Sequence, residues 1–398
     1  NVIAGTDKLE DEIAENLKSL VSKPAVIGYI IGHEEPDPSD SNKGAGLLNT
    51  LVSDRYEFKQ LNLSEDEIPS GLKSIVINGP KTAFSDAELY KIDQFIMKGG
   101  NLILFADSFN EKVPEGQMAY YQMPTYEPIE TGLDKILLKY GIKIGKDYVL
   151  DENCYVNKDQ RSGATPLYFA PMLQKSNMDR KNPITKNLGY VIMLQNSSID
   201  ISGTENLADI KATVLAKSSS ESWLMQSNIM LVPQYIRKPT DKSVMKSENL
   251  AVLVEGKFDS AFDKNPSQEE SKSENFSFTE HHAKGIQNAK IFVTGSSKIT
   301  GSQVMDSSGK QPIAMFVRNA IDYMNGEEDL CTMRTKGLSL NTLTTKSGVS
   351  VNVAKYFNEF GLIALVVIAG LITLLKIAAR KKQIRMKYNP DDSREIKK

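Results

Sequence analysis

Apolar positions along this chain recur in two rhythms. Leu9, Ile13, Leu17 and Leu20 fall at helical spacing, and Pro24 closes that helix. Ala25–Ile31 is a continuous apolar run ending at Gly32, the pattern of a strand buried on both faces. Gly44–Asp54 carries Leu47, Leu48, Leu51 and Val52 and predicts a short amphipathic helix, and Tyr56–Leu63 alternates as a strand. Ser74–Asn78 is a further strand, closed by Gly79-Pro80. Ser85-Asp86-Ala87-Glu88 is a capping box that opens a helix ended by Gly99-Gly100, and Leu102–Ala106 is again a buried strand. Strands and helices alternating at short intervals predict an α/β domain with a mainly parallel sheet.

The pattern then changes. Residues 110–130 read as loop. Leu133–Tyr140 reads as a helix and Lys143–Leu150 as a strand. Residues 153–187, with Pro166, Pro171 and Pro183, read as irregular. Short strands follow at Tyr190–Gln195, Ser198–Ile201, Ala212–Ala216 and Leu250–Val254. The polar stretch 262–283 predicts a mobile loop. Lys290–Thr294 and the helix Gln311–Asn325 return to the earlier architecture. The predicted organisation is therefore an α/β domain in two parts, 1–109 and 289–336, with a β-rich inserted region over 110–288.

After a polar linker at 337–355, the chain is apolar from Phe360 to Leu375, with Thr373 the one polar side chain. Sixteen helical residues give roughly 24 Å, and the flanks bring 356–379 near the roughly 30 Å of a bilayer core. Glu359 and Lys376 can reach the interface. The sequence thus predicts a transmembrane helix over 356–379 and a basic cytoplasmic tail over 380–398, with everything before it extracytoplasmic by the positive-inside rule. Gly361 and Gly370 are small positions where a neighbouring membrane helix can approach closely.

Charge sharpens this. The net charge is -2, but from Lys376 onward there are nine basic residues against three acidic ones. The body before the tail is acidic, which argues against nucleic acid as a partner; the tail suits anionic lipid. With Asn1 as the first residue, a further N-terminal span upstream stays open. Cys154 and Cys331 form neither a disulfide framework nor a zinc site. Two buried free thiols are the expectation, and a bond between them the alternative.

Candidate chemistry is sparse. Ligands in open α/β sheets bind beyond the carboxyl ends of the strands. His33, Glu34 and Glu35 follow the first strand and Asp107 follows the fourth, so His33, Glu34 and Asp107 are the candidate ligand-binding residues. Each has a plainer role open to it, with Asp107 expected to cap the following turn. His281-His282 are adjacent and lack converging ligands for a metal. Trp223 is expected in a core. No phosphate-binding or dinucleotide-binding glycine pattern is present, so no cofactor is expected and any energy-driven work needs another subunit. No nucleophile stands at a strand-to-helix turn beside a histidine base, so an enzyme is not expected.

Five stretches in order resemble one family: KPAVIGYIIGHEE (23–35), IVINGPKTAFSDAELYKIDQFIMKGGNLILFAD (75–107), EGKFDSAF (255–262), AKIFVTGSS (289–297) and FVRNAIDYMNGEEDLCTMRTKGL (316–338). They are similar to the auxiliary component of ABC-type transporters, including the gliding-motility GldG proteins. The resemblance implies a glutamine-amidotransferase-like α/β domain without its catalytic residues, anchored in the cytoplasmic (inner) membrane with its body periplasmic. It also implies a multispanning permease and a separate cytoplasmic ATPase as partners. Two functions follow as expectations: an accessory transporter subunit that binds substrate, an envelope partner or its own copy, or a ligand- or carbohydrate-binding module outside any transporter. A divergent hydrolase is a distant third. No residue encodes gliding motility itself.

Overall fold

The computed structural model describes residues 24–40, 44–114, 116, 122–159, 163–266, 280–305, 308–335 and 348–388. Residues up to 341 form one compact unit and residues from 342 a second. The helix expected over Leu9–Leu20 lies outside the described residues.

The first half follows the apolar rhythm. Strand β1 (Ala25–Ile31) leads to helix α1 (Gly46–Val52), then to β2 (Tyr56–Asn62) and β3 (Ser74–Asn78). Helix α2 (Asp86–Met97) starts at Ser85, whose hydroxyl accepts the Glu88 N–H while the Glu88 carboxylate accepts the Ser85 N–H. Strand β4 (Asn101–Phe105) follows.

Next come the hairpin β5 (Phe109–Lys112) and β6 (Thr125–Pro128), helix α3 (Asp134–Lys139), β7 (Lys143–Ile144) and β8 (Tyr148–Asp151). Residues 153–187, expected to be irregular, contain two strands, β9 (Cys154–Asp159) and β10 (Gly163–Gln174). They pair antiparallel over Gly163–Leu167, and a bulge separates that run from Pro171. β10 turns to β11 (Tyr190–Ile192) only from Met172. Pro166 and Pro171 thus lie in a strand that never has continuous ladders on both sides, where a missing N–H is tolerated.

Then follow β12 (Ile199–Asp200), β13 (Ile210–Lys217), β14 (Ser222–Met225), β15 (Asn249–Gly256) and β16 (Ala289–Thr294). The central sheet has seven strands in the order β13-β15-β16-β4-β3-β1-β2. From β16 to β2 the pairing is parallel; β15 and β13 are antiparallel additions. Two strands of the region expected as an insertion therefore extend the central sheet. The loop expected over 262–283 lies mostly outside the described residues, but Phe262 is buried against Tyr90.

Helices α4 (Pro312–Met324) and α5 (Glu328–Thr335) complete the body. Alternation along the strands sorts the core into two layers. Ile103, Phe105 and Phe292 pack with α1 and α4, while Leu102, Leu104 and Ile291 pack with α2 and α3. Each such fully buried side chain contributes about 1.5–3 kcal/mol of transfer free energy. Trp223 lies in a smaller cluster with Phe109 and Tyr148.

The second unit is helix α6 (Gly348–Tyr388). Residues 348–355, expected in the linker, are helical. The helix bends by 43° between Lys355–Gly361 and Leu365–Tyr388. Among the described residues no single helix is long and apolar enough to cross a membrane; the two limbs together pass by length and composition.

Candidate functional site

The order β2-β1-β3-β4 reverses direction at β1, so a crevice is expected between the carboxyl ends of β1 and β3. The chain fills it with its own groups. The His33 carbonyl accepts the Lys81 N–H at 2.8 Å, joining the two strand-end loops. Asn78 Nδ2 donates to Tyr29 Oη and Thr300 Oγ1, and the Tyr29 hydroxyl donates to the Pro36 carbonyl at 2.7 Å. Phe84 stacks on the His33 ring, with centroids 3.6 Å apart.

His33 is buried between two carboxylates. Its Nε2 is 3.4 Å from Glu88 Oε1 and its Nδ1 is 3.7 Å from Glu35 Oε1. The other Glu35 oxygen accepts the His33 backbone N–H at 2.7 Å. Burial pushes the Glu35 carboxyl up, with the Glu88 charge adding to this. Burial acts the same way on Glu88, but its bonds from Ser85 and the nearby His33 outweigh it and hold that carboxyl below the usual range. Glu34 is exposed and has a positive φ of 63°, a backbone position that favours glycine. Glu88 was legible in the sequence only as a cap.

Asp107 has different partners. Its carboxylate accepts the Ser297 N–H at 2.7 Å and the Ser297 hydroxyl at 2.5 Å. It therefore caps the turn after β16, a neighbouring strand, rather than the turn after its own. Burial raises its carboxyl, offset in part by Ser297, Lys298 and Lys81. Gly79 makes this junction possible. Its φ is +62°, and a Cβ there would stand 2.6 Å from Ser297 Oγ. Asp107 also lines a cavity of about 750 Å³ with Ser108, Lys146, Asp147, Ser198 and Glu248. His33 and Glu34 do not line it. Several of its polar groups are already paired: Asp147 accepts both the N–H and the hydroxyl of Ser198, and Lys246 lies 3.0 Å from Glu248.

The other quoted motifs form buried clamps. In EGKFDSAF, the Ser260 hydroxyl and Ala261 N–H donate to Asp93 of α2, as do the Tyr140 hydroxyl and Gln94. In the stretch over 316–338, Arg334 donates to Asn319 and Asp322, and Tyr56 donates to the second Asp322 oxygen at 2.8 Å. His281 Nδ1 lies 3.3 Å from the Tyr90 hydroxyl, and the His282 N–H donates to Gln94. Among the described residues no group of three potential ligands could hold a metal. Cys154 and Cys331 are free and buried.

These features define a mixed α/β body whose strand-end loops are joined by internal bonds beside a cavity at Asp107, followed by an apolar helix with a basic end. The family model for the auxiliary component of an ABC-type uncharacterized transport system matches residues 24–330. The chain belongs to this family, which gives it an accessory role in a transport system. No curated protein matches the chain. Among solved structures, the mmIFT52 N-terminal domain is similar at 15% identity and a TM-score of 0.45, covering 76% of this chain and 97% of that one. A putative ThuA-like protein from Parabacteroides merdae is similar at 12% identity and a TM-score of 0.30, covering 82% and 93%. Both scores lie below 0.5 and say nothing of function.

Proposed function

We propose that the chain is a non-enzymatic accessory subunit of an ABC transporter, anchored by its C-terminal helix beside a multispanning permease. Its body lies outside the cytoplasm, and a separate cytoplasmic ATPase supplies the energy. Family membership supports the transport role. The observation that carries the finer reading is the surface of α6. Phe357, Phe360, Leu365, Val366, Leu374 and Leu375 are each more than half exposed. Such a run of apolar side chains is stable in lipid and costly in water. Arg380, Lys381, Lys382, Arg385 and Lys387 follow it, which supports that orientation. A non-enzymatic role is supported by Asp107, whose carboxylate is taken up by the N–H and hydroxyl of Ser297. Purification of the full chain from its native membrane in mild detergent tests the proposal. A permease and an ATPase are expected at constant ratio; a chain that elutes without them after cross-linking in the intact membrane overturns it.

The cavity beside Asp107 favours a second reading, in which the body binds a small ligand. Its place near the carboxyl end of β4 is where α/β sheets hold ligands. Titrating the purified full chain in detergent with neutral oligosaccharides and amino-acid derivatives separates the two, since an adaptor gives no saturable response.

A further inference from the structure

We infer that His33, Glu35 and Glu88 form a proton-binding site that ties the end of β1 to the start of α2. The geometry sets the argument. One imidazole lies between two carboxylates, with both ring nitrogens facing an acidic oxygen. The His33 and Glu88 side chains are nearly buried and that of Glu35 fully so. Phe84 covers the ring face, so water does not screen the group from that side.

Count the protons. Glu88 is held toward the ionised form, because one of its oxygens accepts both the N–H and the hydroxyl of Ser85, and its carboxyl lies below the usual range. If His33 and Glu35 together held no proton, two buried carboxylates would face a neutral ring with no cation between them. Buried like charges without a counterion are strongly unfavourable. One proton on the His33–Glu35 pair removes that cost, whether it sits on the ring or on the carboxyl.

Among the described residues the surrounding elements supply no substitute. From β1, Tyr29 turns its hydroxyl to the Pro36 carbonyl and is itself pushed up by burial, with Glu35 and Asp37 adding to the effect. From the loop after β3, Lys81 and Thr82 meet His33 through backbone N–H groups. Glu34, between the two partners, is exposed and acidic.

The unfolded chain releases this proton more readily, because its glutamates ionise freely in water. Above the ordinary glutamate range the folded state therefore binds more protons than the unfolded state, and stability falls as pH rises. The direction agrees with the raised Glu35 carboxyl: the stabilisation is full at low pH and is lost as pH climbs through the folded titration. The contact that loosens is the junction of the β1 loop with the capping box of α2.

The test is the pH dependence of unfolding of the full chain in detergent, from about pH 4 to about pH 9. Glu35→Gln keeps the shape and stays neutral. It is expected to remove up to one proton from the folding equilibrium, which is up to tenfold in the folding constant per pH unit. Its curve should be flatter and should cross above the parent curve at alkaline pH. Glu35→Ala, which removes the carboxyl without an isostere, is expected to lose the slope in the same way at lower overall stability. Parallel curves for the parent and Glu35→Gln overturn the inference, since a merely structural glutamate shifts stability without changing its slope.

Discussion

Ser260 donates its hydroxyl to Asp93 at 2.7 Å across 167 residues of chain. Asp93 is fully buried and also holds Tyr140 and the Ala261 N–H. Asp93→Ala removes one carboxylate but strands several buried donors. A loss of about 3–5 kcal/mol is expected in denaturant unfolding. Ser260→Ala, which removes one donor, is expected to cost about 1–2 kcal/mol.

Arg334 and Asp322 form a buried pair at 2.6 Å. Asp322 also accepts the Tyr56 hydroxyl and faces the buried Arg55 at 3.9 Å. Arg334→Met is expected to cost about 3–5 kcal/mol, and Asp322→Leu, which strands Arg334, Arg55 and Tyr56 together, at least as much. Chemical unfolding of the two variants checks this; a smaller loss for Asp322→Leu than for Arg334→Met would contradict it.

The two thiols should be inert in the native protein. Burial, aided by Asp151, pushes the Cys154 thiol up to about 11. Burial with Asp322 pushes Cys331 up to about 12. Reaction with a chromogenic disulfide reagent at neutral pH is expected to be slow in native conditions and to reach two thiols per chain on unfolding.

Gly370 has no side-chain or backbone neighbour within 4 Å of the Cβ it lacks. A larger residue there therefore does not disturb α6 itself. Gly370→Leu is expected to weaken recovery of the permease and ATPase severalfold while membrane insertion is unchanged. Unchanged recovery would reduce the helix to a tether. Gly361 sits at the end of the first limb of the bend, so substitution there tests the bend together with any contact.

Much of the first half was legible because parallel strands buried on both faces appear as unbroken apolar runs. Ser74–Asn78 and the Ser85 cap are examples. β9 and β10 were hidden by prolines that the bulged pairing tolerates. The membership of β13 and β15 in the central sheet was hidden because pairing partners leave no mark on local periodicity. The site shows the same limit. The sequence placed His33 and Asp107 on one edge, yet Asp107 answers to Ser297, 190 residues away. The resemblance marked the right stretches but not their roles: EGKFDSAF and the 316–338 stretch hold the body together through Asp93 and Asp322.

The place of β4 in the sheet has a consequence for the order of synthesis. Its outer partner is β16, and the link from Lys290 to Asn101 spans 189 residues. At about 5–20 residues per second, roughly 10–40 s pass on the ribosome between the two strands. During that time Leu102–Phe105 presents an apolar edge with no neighbour on one side, a template for wrong pairing. The body cannot close its sheet until most of the chain has emerged, and the apolar helix follows soon after. Completion of the sheet and emergence of the C-terminal helix are thus nearly one event in time.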